Sequence, residues 1–172
     1  AVLWNKLSGP GPHFHMKLQS IGVVGAGTMG NGIAQACAVH GYDVVMQDVS
    51  DELVQKGLGG IQNSLGRLVS KEKISQEDSD QTLGRIQTAT DIDAMAGCDL
   101  VVEAASENMD VKMGIFPHLN KICAEHTILA SNTSSLSLTR IAAGSGRPDR
   151  VVGMHFFNPV PLMALVEVIR AL

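Results

Sequence analysis

Apolar residues along this chain fall into short continuous runs, separated by longer stretches in which they recur every three or four positions. The runs are Ile21 to Val24, Val44 to Gln47, Leu100 to Glu103, Thr127 to Ser131, Val151 to Met154 and Leu165 to Ile169, with a weaker one at Arg85 to Thr88. Their length and their content of Val, Ile and Leu suit strands buried on both faces. Between them lie helical patterns. Asn31 to His40 is a small-residue helix stopped by Gly41. Ser50-Asp51-Glu52 is a helix start, followed by Leu53, Leu58, Ile61, Leu65, Leu68 and Val69 at helical spacing. Four glycines there, Gly57, Gly59, Gly60 and Gly66, each weaken a helix by roughly 1 kcal/mol relative to alanine where interior and exposed. Polar residues from Ser70 to Gln81 predict a turn and a second short helix. Met109 to Glu125 predicts another, which Pro117 should kink or divide. Strands alternating with helices predict a doubly wound α/β fold with a mainly parallel sheet and right-handed crossovers. The stretch from Asp48 to about Gly84 is longer than a crossover needs. It reads as a helical excursion after the second strand, which either reaches a second ligand or is a plain surface insertion.

The first strand breaks into Gly25-Ala26-Gly27-Thr28-Met29-Gly30 and passes directly into the small-residue helix. A bare GxGxxG is weak evidence. Flanked by a strand, a helix and a second strand ending in an acid, it is the dinucleotide-binding fingerprint of a Rossmann fold. Gly25 lets the chain leave the strand, Gly27 lets the backbone approach a pyrophosphate, and Gly30 lets the helix pack against the strand. The helix start, at Thr28 and Met29, then points unpaired N–H groups and a partial positive charge at the phosphates. Asp48 lies 18 residues beyond Gly30, where an acid accepts hydrogen bonds from the adenosine ribose and repels a 2′-phosphate. No arginine follows within the next few residues, so NAD is expected over NADP. The plainer reading of Asp48 is a solvated acid at a strand end.

Composition narrows the class. At 172 residues the chain holds one full domain and not two. It is 45% apolar but has only four Phe, one Tyr and one Trp, so Val, Ile, Leu, Ala and Met must build the core. A net charge of −4 supplies no basic footprint for nucleic acid. No apolar run approaches the roughly 18 residues of a membrane helix, and no signal-peptide layout is visible. Cys37, Cys98 and Cys123 are odd in number, widely spaced and without CxxC spacing. They read as reduced core thiols of a cytoplasmic protein, with no disulfide or metal implied. Residues 1–15, with their Ser8-Gly9-Pro10-Gly11-Pro12 cluster, read as a tag or leader, and Met16 as the native start.

Ligands of doubly wound sheets sit beyond the carboxyl ends of the strands. Three such ends carry polar groups: Glu103 to Glu107, Asn132-Thr133-Ser134-Ser135, and His155 with Asn158. Alcohol oxidation needs that set: a base takes the hydroxyl proton while hydride leaves for the cofactor, and donors hold the oxygen. Plainer readings are a satisfied polar histidine for His155, a helix cap before Leu136 for Ser134, and a merely buried acid for Glu167. His40, His118 and His126 read as structural.

Val23 to Ala34 around the glycine loop, Ser131-Asn132-Thr133-Ser134-Ser135, and above all Gly153-Met154-His155-Phe156-Phe157-Asn158-Pro159-Val160-Pro161-Leu162-Met163 closely resemble the L-3-hydroxyacyl-CoA dehydrogenase family, including bacterial 3-hydroxybutyryl-CoA dehydrogenases. The resemblance covers Met16 to about Arg170. It implies interconversion of (S)-3-hydroxyacyl-CoA and 3-ketoacyl-CoA with NAD. By position, His155 would be the base in oxidation and the acid in reduction, Glu167 the carboxylate orienting its ring, and Ser134 the hydroxyl on the substrate C3 oxygen. Glu107, Lys112, Asn132 and Asn158 would contact the cofactor, and Ser64 and Lys71 the CoA moiety. The family pattern continues past Leu172 into a helical domain that encloses the acyl chain and carries most of the dimer contact. The chain is therefore expected to be a truncated NAD-binding domain, impaired in turnover and inclined to self-associate as a homo-oligomer. Two alternatives stay open: a nucleotide-binding or self-associating module without turnover, and a hydroxyacid dehydrogenase acting on substrates without CoA.

Overall fold

The computed structural model describes residues 18–171. The segment read as a tag or leader, 1–15, and the expected start at Met16 lie outside them. Seven strands form one sheet, β1 (Ser20–Val24), β2 (Asp43–Gln47), β3 (Ile86–Ala89), β4 (Leu100–Glu103), β5 (Ile128–Ser131), β6 (Val151–Phe156) and β7 (Val166–Arg170). Their order is β3-β2-β1-β4-β5-β6-β7, a Rossmann order in which the direction of winding reverses beside β1. Every neighbour pair is parallel except the last: β7 runs antiparallel to β6, with His155 directly opposite Glu167. Strict strand–helix alternation thus ends at β6, because β7 follows without an intervening helix.

The strands carry two cores, one on each face, because successive side chains point to opposite sides. Ile21, Val23, Leu100 and Val102 face one way and pack with Ile33, Ala34, Ile61 and Leu65. Val24 and Val101 face the other and pack with Met95, Phe116, Leu119 and Ile141. Each fully buried side chain of this kind contributes about 1.5–3 kcal/mol relative to exposure. The first face is covered by α1 (Thr28–Val39), α2 (Asp51–Ser70) and α3 (Gln76–Gly84), the second by α4 (Met109–Ile122) and α5 (Leu138–Ser145).

Local chemistry sets the helix ends. The Ser50 hydroxyl accepts from the Leu53 N–H to start α2, and Ser75 with Asp78 forms a capping box on α3. Ser137, not Ser134, caps α5 through the Arg140 N–H, so Ser134 is free of the capping role. Pro117 does not divide α4, which runs unbroken from Met109 and stops at Ile122, short of Glu125. Arg147 closes that end: its guanidinium donates to the carbonyls of Asn120, Cys123 and Ala124 and to Asn120 Oδ1, at 2.6 to 2.9 Å. A cation spanning the last carbonyls of a helix answers both their unmet acceptors and the dipole.

The buried stripe of α2 is Val54, Gly57, Ile61 and Leu65, so Leu53 lies outside it and is exposed. The glycines of α2 divide by environment. A β-carbon on Gly57 would sit 2.6 Å from the Ala26 carbonyl oxygen, so this glycine lets α2 cross against the glycine-rich loop. Gly59 and Gly66 face open space. Apolar side chains are exposed on and before the edge strand: Leu162, Met163, Leu165, Val168 and Ile169. Among the described residues no helix is long and apolar enough to cross a membrane. Cys37, Cys98 and Cys123 are free; Cys98 and Cys123 are buried and Cys37 partly so. Burial pushes the Cys37 thiol up to about 12, far from a reactive thiolate.

In urea melts, Gly59→Ala and Gly66→Ala are each expected to stabilise the fold by about 0.5–1 kcal/mol. Gly57→Ala should destabilise it by about 1–3 kcal/mol by forcing α2 off the loop; equal effects at the three positions would refute the assignment of Gly57 to a close crossing.

Candidate active site

The loop between β1 and α1 is built for close approach. Gly25 takes a left-handed φ of 101°, and its added β-carbon would lie 2.7 Å from the Ala104 carbonyl. One on Gly30 would lie 1.7 Å from the Gly25 carbonyl, so α1 could not fold back onto its own loop with any side chain there. Gly27, by contrast, has nothing within 4 Å of its missing β-carbon and opens the backbone outward. It is the N-cap of α1 without a side-chain cap, and the first turn holds no acid. Exposed Gly27 and Thr28 therefore present first-turn N–H groups free of competing side chains, the arrangement a pyrophosphate requires.

Asp48, at the tip of β2, accepts from the Ala26 N–H at 2.8 Å through Oδ2 and from the Val49 N–H at 2.7 Å through Oδ1. It thus fastens the glycine loop to the neighbouring strand, and each oxygen keeps a lone pair for a ribose hydroxyl. Asp48 and Gly25 line a cleft of about 720 Å³ whose flanks come from Thr90, Asp91, Ile92, Val111 and Ile115. These flanks carry no recognisable motif, so nothing in the sequence marks them as part of the cleft.

A second cavity, of about 350 Å³, lies at the carboxyl ends of β4, β5 and β6. It gathers Met29, Glu107, Asn132, Ser134, His155, Phe157 and Asn158. His155 Nδ1 lies 2.8 Å from Glu167 Oε2 across the antiparallel pair β6–β7. With Nδ1–H donating to that carboxylate, Nε2 is left as the acceptor nitrogen, and no described residue bonds it. The Phe157 ring stands 4.7 Å from the imidazole. Asn132 is engaged by its own scaffold, its Oδ1 accepting from the Phe156 N–H at 2.9 Å and joining the ends of β5 and β6.

Beneath this cavity lies a buried polar network that sequence reasoning only grazed. Glu103, fully buried, receives Lys112 Nζ at 2.7 and 2.9 Å, the Ser131 hydroxyl at 2.7 Å and the Ala105 N–H at 2.8 Å. Lys112 is itself buried and reaches Glu107 Oε2 at 3.6 Å. The structure therefore places Lys112 under the wall rather than on it. The available signal was an acid closing an apolar strand with a lysine nine residues on, since a buried charge demands a partner. Glu107 Oε1 accepts from the hydroxyls of Thr133 and Ser135 and from the N–H groups of Ser134 and Ser135. Partial desolvation works against the charge on Glu107, but the hydroxyls of Thr133 and Ser135, the Lys112 ammonium and the Ser134 N–H outweigh it and hold the carboxyl below its ordinary range.

Ser64 and Lys71 line neither cavity; Ser64 is half-buried on α2 and Lys71 is exposed at its end. His118 and His126 pair with Asp93 and Asp99, and none of the four lines either cavity.

Residues 20–172 match the family model of the 3-hydroxyacyl-CoA dehydrogenase NAD binding domain. The chain belongs to this family. It is 47% identical over 155 residues to the 3-hydroxybutyryl-CoA dehydrogenase of Bradyrhizobium diazoefficiens, covering 90% of this chain and 53% of that protein. It is 53% identical over 150 residues to a probable 3-hydroxybutyryl-CoA dehydrogenase of Deinococcus radiodurans, covering 87% and 53%. Among solved structures, the (S)-3-hydroxybutyryl-CoA dehydrogenase of Ralstonia eutropha superposes with a TM-score of 0.89 at 54% identity, covering 91% of this chain and 55% of that one. The chain thus spans about half the length of the relatives it matches. The cofactor of this NAD-binding domain is NAD, and the open Gly27 backbone, the uncapped start of α1 and the Asp48 carboxylate fit it.

Because the folded-state pKa of Glu107 is depressed, the stability it contributes is complete above its unfolded value of about 4.3 and lost as pH falls through the folded value. Urea titrations should show Glu107→Gln less stable than the parent chain at pH 7, with the gap closing below about pH 4. A gap independent of pH would mean that the carboxylate charge is not what the Thr133–Ser135 loop responds to.

Proposed function

We propose that the protein containing this domain is an NAD-dependent oxidoreductase that interconverts (S)-3-hydroxyacyl-CoA and 3-ketoacyl-CoA in the cytoplasm. The observation that carries this reading is the imidazole of His155, tied at Nδ1 to Glu167 and opening onto a cavity shared with Ser134, Asn132 and Asn158. NAD, when bound, accepts or returns the hydride. His155 takes the hydroxyl proton at Nε2 as the alcohol is oxidised and returns it in the opposite direction. Glu167 holds the ring and its tautomer, so that Nε2 and not Nδ1 faces the reacting oxygen. Ser134, exposed and free of the helix-capping role, would hold the substrate oxygen. Met29 at the start of α1, together with Glu107 and Asn158, would bound the nicotinamide end, and Asp48 would hold the adenosine ribose. Ser64 and Lys71 would meet the CoA moiety from α2, outside both cavities. The exposed apolar run from Leu162 to Ile169 supports self-association.

Two measurements test this. In the full-length protein, His155→Gln is expected to lower kcat for NADH-dependent reduction of acetoacetyl-CoA by about 10²- to 10⁴-fold while leaving NADH affinity intact. Retained turnover would remove His155 from the base role. Lys71→Ala should raise KM for acetoacetyl-CoA several-fold with kcat unchanged. An unchanged KM would favour a dehydrogenase of substrates without CoA. Nucleotide binding without any turnover, even at full length, would favour a binding module.

A further inference from the structure

Glu107 is the one carboxylate among the described residues lining the cavity that His155 lines. Its charge is not cancelled from below. Lys112 makes its short contacts, 2.7 and 2.9 Å, to Glu103 and only a 3.6 Å approach to Glu107. Two carboxylates and one ammonium leave a surplus of one negative charge, and Glu107 carries it at the cavity wall while Glu103 is fully buried. Four donors on Oε1 fix the carboxylate in place at the cavity wall, with 41% of its side chain open to solvent. A carboxylate held by several N–H and O–H donors also resists protonation.

The nicotinamide ring is cationic when oxidised and neutral when reduced. An immobile anion beside it interacts differently with the two forms, and a partly desolvated cavity enlarges the difference. We propose that Glu107 acts as a fixed anion that makes the site favour the oxidised cofactor over the reduced one, with Glu103 and Lys112 as the positioning residues beneath it. The inference rests on the reading of this cavity as the nicotinamide end of the site.

The test is calorimetric titration of the chain with NAD⁺, NADH and ADP-ribose, the last lacking nicotinamide. Glu107→Gln, which keeps the shape and an acceptor oxygen, should raise the ratio of the NAD⁺ to the NADH dissociation constant by about three- to tenfold, the effect of one charge near another in a partly hydrated cavity. ADP-ribose affinity should not move, and Glu107→Asp, which keeps the charge, should hold the ratio near that of the parent chain. A ratio unchanged in Glu107→Gln overturns the proposal. So does an equal loss for all three ligands, which would make Glu107 a clamp on the Thr133–Ser135 loop only, and so does an equal shift in Gln and Asp variants. If the parent chain binds none of the three, the reading of the cavity itself fails, and the proposal with it.

Discussion

A carboxylate with no solvent exposure at the end of a central strand must be neutralised where it stands, and the site is arranged around that requirement. Glu103 closes β4 between β1 and β5, and Lys112 reaches it from the first turn of α4. Removing one member of such a buried pair leaves an unpaired charge and costs about 3–5 kcal/mol. The pair therefore fixes how far α4 stands from the sheet. Ser131 and the Ala105 N–H complete the coordination of Glu103, so one residue joins the ends of β4, β5 and α4. Glu107 and the Thr133–Ser135 loop stand on this base, and with them one wall of the cavity.

The glycine loop depends on small residues rather than charge. Gly30 against the Gly25 carbonyl, Gly57 against the Ala26 carbonyl and Gly32 against Val160 bring backbone elements together where a β-carbon would lie under 3 Å from its neighbour. Asp48 then holds the loop by the Ala26 N–H. A charged floor that resists displacement and a loop that admits ligand close to its backbone are different solutions to one demand, geometry held before ligand arrives.

Much of this was legible from sequence because period and punctuation are local. Apolar runs of four or five residues placed β1, β2, β4, β5 and β6 to within a residue or two, and the glycine loop with Asp48 located the cleft at the switch in strand order. What was not legible depends on tertiary neighbours. Pro117 is expected to kink or divide α4; the helix is not divided, since Phe116 and Leu119 pack into the core on either side and outweigh one missing backbone bond. Leu53 counted toward the helical stripe by spacing, but the stripe that faces the sheet passes through Val54. Lys112 is placed by the family resemblance on a cofactor contact, and its burial against Glu103 depends on a neighbour nine residues away that only the fold brings beneath the cavity. Asp91, Ile92 and Val111 border the larger cleft only because the segment after β3 and the first turn of α4 converge there.

The antiparallel edge strand shows how topology decides chemistry. A parallel strand needs a crossover of about a dozen residues or more, usually with a helix. Only residues 157–165 separate β6 from β7, with no helix among them, so β7 must return antiparallel. In that register His155 and Glu167 are direct partners, and their side chains share a face and meet at 2.8 Å. A slip of one residue would turn Glu167 to the other face of the sheet, away from the imidazole. The twelve-position separation of histidine and acid, which as a bare spacing says nothing about contact, thus becomes a distance only through the direction of one strand.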